Sequence, residues 1–110
     1  MHIKFTARHF RPRAGVKSHA VQAVEKLGKF YDGIVSATVV LSFERATNSV
    51  KTAEINLHVY GTTLSAKEKS DEFLKSIDAA AEKLGSQLTK YKSRLRAKDK
   101  TRVRAIREKV

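Results

Sequence analysis

The polar and apolar positions along the chain change period several times, and each change marks an element. HIKFTAR alternates, with Ile3, Phe5 and Ala7 on one face and His2, Lys4, Thr6 and Arg8 on the other, which predicts a half-buried strand. Pro12 and Gly15 break the pattern before a helical period begins. Val16, Ala20, Ala23, Val24, Leu27 and Tyr31 then share one face, while Gln22, Lys26 and Lys29 share the other. This helix is expected to end near Asp32-Gly33, where glycine can supply a left-handed cap. IVSATVVLSFE returns to period two, placing Val35, Ala37, Val39, Leu41 and Phe43 together. RATNS reads as a polar hairpin loop. KTAEINLHVY alternates again, Gly61-Thr62 reads as a tight turn, and TLSAKE is a shorter strand carrying Leu64 and Ala66.

The last element is the longest. Ser70 or Asp71 can cap it, Asp71 and Glu72 suit the positive end of its dipole, and its apolar stripe runs Phe73, Ile77, Ala80, Leu84, Leu88, Tyr91, Leu95. The order β-α-β-β-β-α makes this an α+β fold. The first two strands, joined through a helix, are expected to be parallel neighbours with a right-handed crossover. The last three form an antiparallel meander, giving a four-stranded mixed sheet. Each strand is apolar on one side only, so two helices pack on one face and the other face stays wet. One domain over residues 1–98 and a basic C-terminal tail over 99–110 are expected.

Charge changes this picture. The 110 residues carry a formal net charge of +12, and a sequence pI near 10.2 follows. The excess is local. From Lys90 to Val110 ten basic residues face only Asp99 and Glu108, a net +8, and no acidic residue occurs between Lys83 and Lys98. At about 100° per residue, Lys83, Gln87, Lys90, Arg94 and Lys98 line one flank of the apolar stripe, and Lys92 and Arg96 line the other. Like charges at i,i+4 each cost a few tenths of a kcal/mol in an isolated helix, and dipole compensation fades within about one turn. A phosphate backbone accounts for such a band, because each neutralised phosphate releases condensed counterions. A solvated basic face is the plainer alternative. A membrane surface fits less well, because the narrow apolar stripe is needed for the core.

Other chemistry is sparse. There is no cysteine, hence no disulfide or thiolate. His2, His9, His19 and His58 lack metal-ligand spacing, and no cofactor motif or catalytic residue stands out. Glu54, His58, Asp71 and Glu72 are candidates for acid–base work, but nothing in their spacing brings them together. The longest apolar runs fall far short of a membrane span, so a cytoplasmic protein without a small-molecule substrate is expected. Arg8, Arg11 and Arg13, with His9, form a second basic cluster and are secondary candidates for RNA contact. Tyr60 is the one aromatic assigned to the wet face, too few for an RNA-recognition motif. Tyr31 and Tyr91 are expected to close the core. Val103, Ile106 and Val110 keep helical spacing, so the tail is either a helix extension or an arm that orders on RNA, the arm being favoured.

EKLGKFYDGI at the end of the first helix and SDEFLKSIDAAAEKLGSQLTKYK in the second resemble the ribosome hibernation-promoting factor family, which includes ribosome-associated inhibitor A. The most specific parts are Asp71-Glu72-Phe73 with Ile77-Asp78, where the family tends to have Asp-x-Tyr-x-x-Ile-Asp, followed by Lys83-Leu84, Gln87-Leu88 and Lys90-x-Lys92. The resemblance spans about residues 1 to 96. It implies binding to rRNA of the small ribosomal subunit, in the cleft between head and body, with steric exclusion of mRNA and tRNA and no catalysis. Carried over by position, the rRNA-facing residues are Lys26, Lys29, Lys83, Lys90, Lys92, Arg94 and Arg96; the charge pattern adds Lys98. Phe73 stands where the family usually has Tyr. The tail is basic where the inhibitor A branch tends to be acidic, and no counterpart of the long members' dimerisation domain occurs within it. The rival readings are a double-stranded-RNA-binding module, which shares the β-β-β-α part, and an RNA-processing enzyme such as a nuclease.

Overall fold

The structure, a computed structural model, describes residues 1–8, 10–31, 33–43 and 50–108, those from 95 onward as backbone only. The elements are β1 (His2–Ala7), α1 (Ala14–Phe30), β2 (Ile34–Phe43), β3 (Lys51–Val59), β4 (Thr62–Ser70) and α2 (Phe73–Glu108). They form a four-stranded sheet in the order β1-β2-β3-β4, with β1 parallel to β2 and the other pairs antiparallel. The expected α+β fold and mixed sheet are therefore present.

One side of the sheet is apolar because the inward positions are. Ala37, Val39, Leu41, Ala53, Ile55 and Leu57 are essentially inaccessible, and Ala20, Val24 and Leu27 of α1 join Ile77, Ala80, Leu84 and Leu88 of α2 above them. Burying a leucine or isoleucine side chain contributes about 1.5–3 kcal/mol, so this seam is the main source of stability. The helices run parallel. His19, early in α1, meets Asp78, early in α2, and Phe30 at the end of α1 meets Lys92, later in α2.

Several local expectations are corrected. Val35 is exposed and Ile34 is buried instead, because the β2–β3 register shifts between Ile34 and Ser36 and the bulge turns Val35 outward. Gly33 supplies no left-handed cap: α1 ends at Phe30, and Tyr31, in extended backbone, donates its N–H to the Leu27 carbonyl at 3.0 Å. Gly33 serves a close approach, since a Cβ there would lie 2.5 Å from the Tyr31 ring. Gly15 lies inside the first turn of α1, which starts at Ala14.

The β3–β4 turn is Tyr60-Gly61, with Gly61 at φ 85°, so Thr62 already pairs with Val59. Tyr60 accordingly belongs to the turn and not to the sheet face. β4 runs on to Ser70, past the expected end, and α2 begins only at Phe73. Asp71 and Glu72 lie just before its first turn, and the Ser70 hydroxyl accepts the Glu72 N–H at 3.2 Å. α2 continues to Glu108, so backbone beyond Lys98 is helical, the first of the two readings of the tail. His9, Asp32 and the RATNS loop lie outside the described residues, as do the side chains of Leu95, Arg96, Lys98, Val103 and Ile106.

Candidate nucleic-acid interface

The candidate cations on the helices fall into three settings. Lys90 and Arg94 are exposed on the flank of α2 that faces β4, beside Thr62, Leu64 and Tyr91. Their helix turn is anchored twice to the β3–β4 hairpin: Gln87 donates its amide to the Ser65 carbonyl at 2.8 Å, and the Tyr91 hydroxyl donates to the Tyr60 carbonyl at 2.8 Å. Tyr91 also meets Tyr31 edge to face, with centroids 5.6 Å apart, and both rings pack against the core.

Lys26 and Lys29 are exposed on α1 but point to different flanks. Lys26 borders a groove of about 540 Å³ between the helices, floored by Ala23, Leu27, Ala81 and Gly85. Lys29 borders a depression on the β1 side with Met1, Ile3 and Tyr31.

Lys83 and Lys92 have partners within the fold. Lys83 pairs with Glu68, whose carboxylate points inward from the edge strand β4 and is largely buried. An inward charge on an edge strand is tolerated when neutralised in this way. Lys92 donates to the carbonyl of Phe30, the last residue of α1, at 3.1 Å. A cation at a helix C-terminus satisfies a carbonyl left without an intrahelical partner and meets the negative end of the dipole. No sequence signal distinguished these two lysines from Lys90; their partners are distant in the chain.

Arg8, Arg11 and Arg13 are exposed at the other end of the layer, where Phe10 stacks on Phe73 and meets Phe43 edge to face. Arg13 is the residue that caps α1, without a side-chain cap hydrogen bond. β3, with nine residues, separates this end from the Tyr60 turn by about 30 Å. The two basic groups therefore do not merge.

The acid–base candidates do not converge either. Glu54 and His58 lie on the open face of β3, bonded to Asn56 and Thr63, whereas Asp71 and Glu72 sit at the start of α2. Among the described residues no three His, Asp or Glu are grouped to hold a metal ion, and no helix is long and apolar enough to cross a membrane. Two further surface features emerge: Phe30 is 48% exposed, and Lys67 and Lys69 of β4 join Lys4 on the open sheet face.

These features define a class: a two-layer α+β domain with a cation-bearing helical layer and an open polar sheet. The family model described as "Sigma 54 modulation protein / S30EA ribosomal protein" matches residues 3–96, and the chain belongs to that family. The Ribosome hibernation promoting factor of Klebsiella oxytoca is 29% identical over 96 residues, covering 87% of this chain and 98% of that protein. The same factor from Escherichia coli K12 is 28% identical with the same coverage. The resemblance carried by the Asp71-Glu72-Phe73 and Lys90-x-Lys92 stretches is thereby borne out. In fold, the chain is similar to a ribosomal subunit interface protein from Coxiella burnetii, with TM-score 0.76 and 24% identity over 84% of this chain and 99% of that one. It is also similar to the Protein Y N-terminal domain of Thermus thermophilus, with TM-score 0.71 and 24% identity over 83% and 99%.

Proposed function

We propose that this chain associates with the ribosome as a hibernation factor. It binds rRNA in the decoding cleft of the small subunit and excludes mRNA and tRNA by occupying their space, without catalysis. The observation that supports this most directly is the match to ribosome hibernation promoting factors along nearly their whole length, together with an exposed, anchored cation pair at Lys90 and Arg94. Lys26, Lys29, Lys90 and Arg94 are assigned the phosphate contacts. By helical spacing Lys98 is assigned to the flank of Lys90 and Arg94 and Arg96 to that of Lys92, and the basic tail over 99–110 is assigned RNA contact by its charge. Lys83 and Lys92 contribute charge while holding α2 to β4 and to α1. Arg8, Arg11 and Arg13 provide a separate secondary contact. The place of action is the cytoplasm.

Sucrose-gradient co-sedimentation with purified small subunits, in competition with initiator tRNA, tests this reading. Binding that initiator tRNA displaces is the expected result. No co-sedimentation at moderate salt, or binding indifferent to initiator tRNA, overturns the decoding-cleft assignment.

A further inference from the structure

The helices leave one face of the sheet open, and its charges are arranged by strand. Outward positions on the edge strand β1 place Lys4, and just past its end Arg8, on one border. Outward positions on β4 place Lys67 and Lys69 on the other, and all four are exposed. Among the described residues of this face the acidic side chain is Glu54, directly across from Lys67. Between the borders the row Lys4–Thr38–Asn56–Ser65 is in register across all four strands. Asn56 is held in place there: its amide donates to Glu54 at 3.2 Å, and its oxygen accepts the Ser65 hydroxyl at 2.6 Å.

We propose that this open sheet face is a second RNA-binding surface, independent of the helical layer, and that its ligand is the minor groove of an A-form RNA duplex. Three strand spacings separate the cation rows by about 14 Å. Such a flat, polar surface bordered by cations suits a wide, shallow groove that displays 2′-hydroxyls between two phosphate strands. The edge cations meet phosphates, while Thr38, Asn56 and Ser65 meet 2′-hydroxyls. A B-form DNA minor groove, about 6 Å wide, does not admit the sheet. The inference stands apart from the ribosomal reading, because it concerns the opposite face of the molecule and any A-form duplex satisfies it. Edge lysines also guard strands against pairing with other chains, which by itself accounts for Lys67 and Lys69 on β4. It does not account for the polar row held between the two borders.

Lysine acetylation footprinting on the full chain, with an RNA duplex of about 20 base pairs (longer than a typical duplex-binding footprint) and a DNA duplex of equal sequence, provides the test. RNA is expected to protect Lys4 and Lys67 and DNA to protect them little. In a salt series, the K4Q/K67Q/K69Q variant should bind the RNA duplex with a log–log slope shallower by about two to three. The S65A variant should narrow the preference for RNA over DNA. Equal modification of Lys4 and Lys67 with and without RNA overturns the proposal and leaves those lysines as edge guards. Equal protection by RNA and DNA overturns the A-form assignment.

Discussion

Lys92 of α2 reaches across the helix pair to Phe30 of α1, with its ammonium 3.1 Å from the Phe30 carbonyl oxygen and 4.7 Å from the centroid of the ring. One side chain thus closes the end of a neighbouring helix and sits over an aromatic face. Lys92→Met keeps the stem and removes both interactions. With the lysine half-exposed, the expected loss is about 0.5–1 kcal/mol, or a few degrees in Tm. Thermal denaturation checks it. An unchanged Tm would mean that the cap contributes nothing in water.

Lys90→Gln with Arg94→Gln removes two exposed cations from an anchored turn. Small-subunit binding should weaken, and the slope of log affinity against log salt should fall by about one to two. Binding measured across a salt series reads this directly. A slope equal to wild type would show that neither side chain touches phosphate.

Ser76 is fully buried where β3, β4 and α2 meet. Its hydroxyl lies 2.7 Å from both the Lys51 carbonyl and the Ser70 hydroxyl. Ser76→Ala removes the donor to the Lys51 carbonyl and opens a part-buried hydroxyl cluster, and about 1–3 kcal/mol should be lost. Urea denaturation should show a lower midpoint with an unchanged m-value. An unshifted midpoint would mean that the hydroxyl cluster is dispensable.

Gly33→Ala places a methyl against the Tyr31 ring, which must move. Because Tyr31 packs on Tyr91, the change should cost about 1–3 kcal/mol and perturb the end of α1 near Lys29. Denaturation together with tyrosine resonances in an NMR spectrum would register both effects. Native stability with unshifted rings would refute the close-approach role of Gly33.

The element order and most of the core were legible because each strand alternates cleanly and both helices keep one apolar stripe. Ala37, Val39 and Leu41 follow from parity alone. Val35 does not, because a bulge arises from pairing between strands and leaves no mark in period-two alternation. Gly33 carried an ambiguous signal, since glycine suits both a left-handed cap and a tight contact, and only the position of the Tyr31 ring separates them. At the interface, helical spacing placed Lys90 and Lys92 on opposite flanks of the stripe. It could not reveal that Lys83 and Lys92 meet Glu68 and Phe30, partners 15 and 62 residues away.

Tyr91 has a consequence for recognition as well as for packing. Its ring rests on Tyr31 and its hydroxyl is tied to Tyr60, so this turn of α2 is keyed against rotation about the helix axis. Successive helix positions are about 100° apart, so a slip of one residue would carry Lys90 and Arg94 off their flank entirely. The aromatic key fixes the azimuth of the cations before any phosphate arrives, so the ordering cost on this flank falls on their side-chain rotamers and not on the helix.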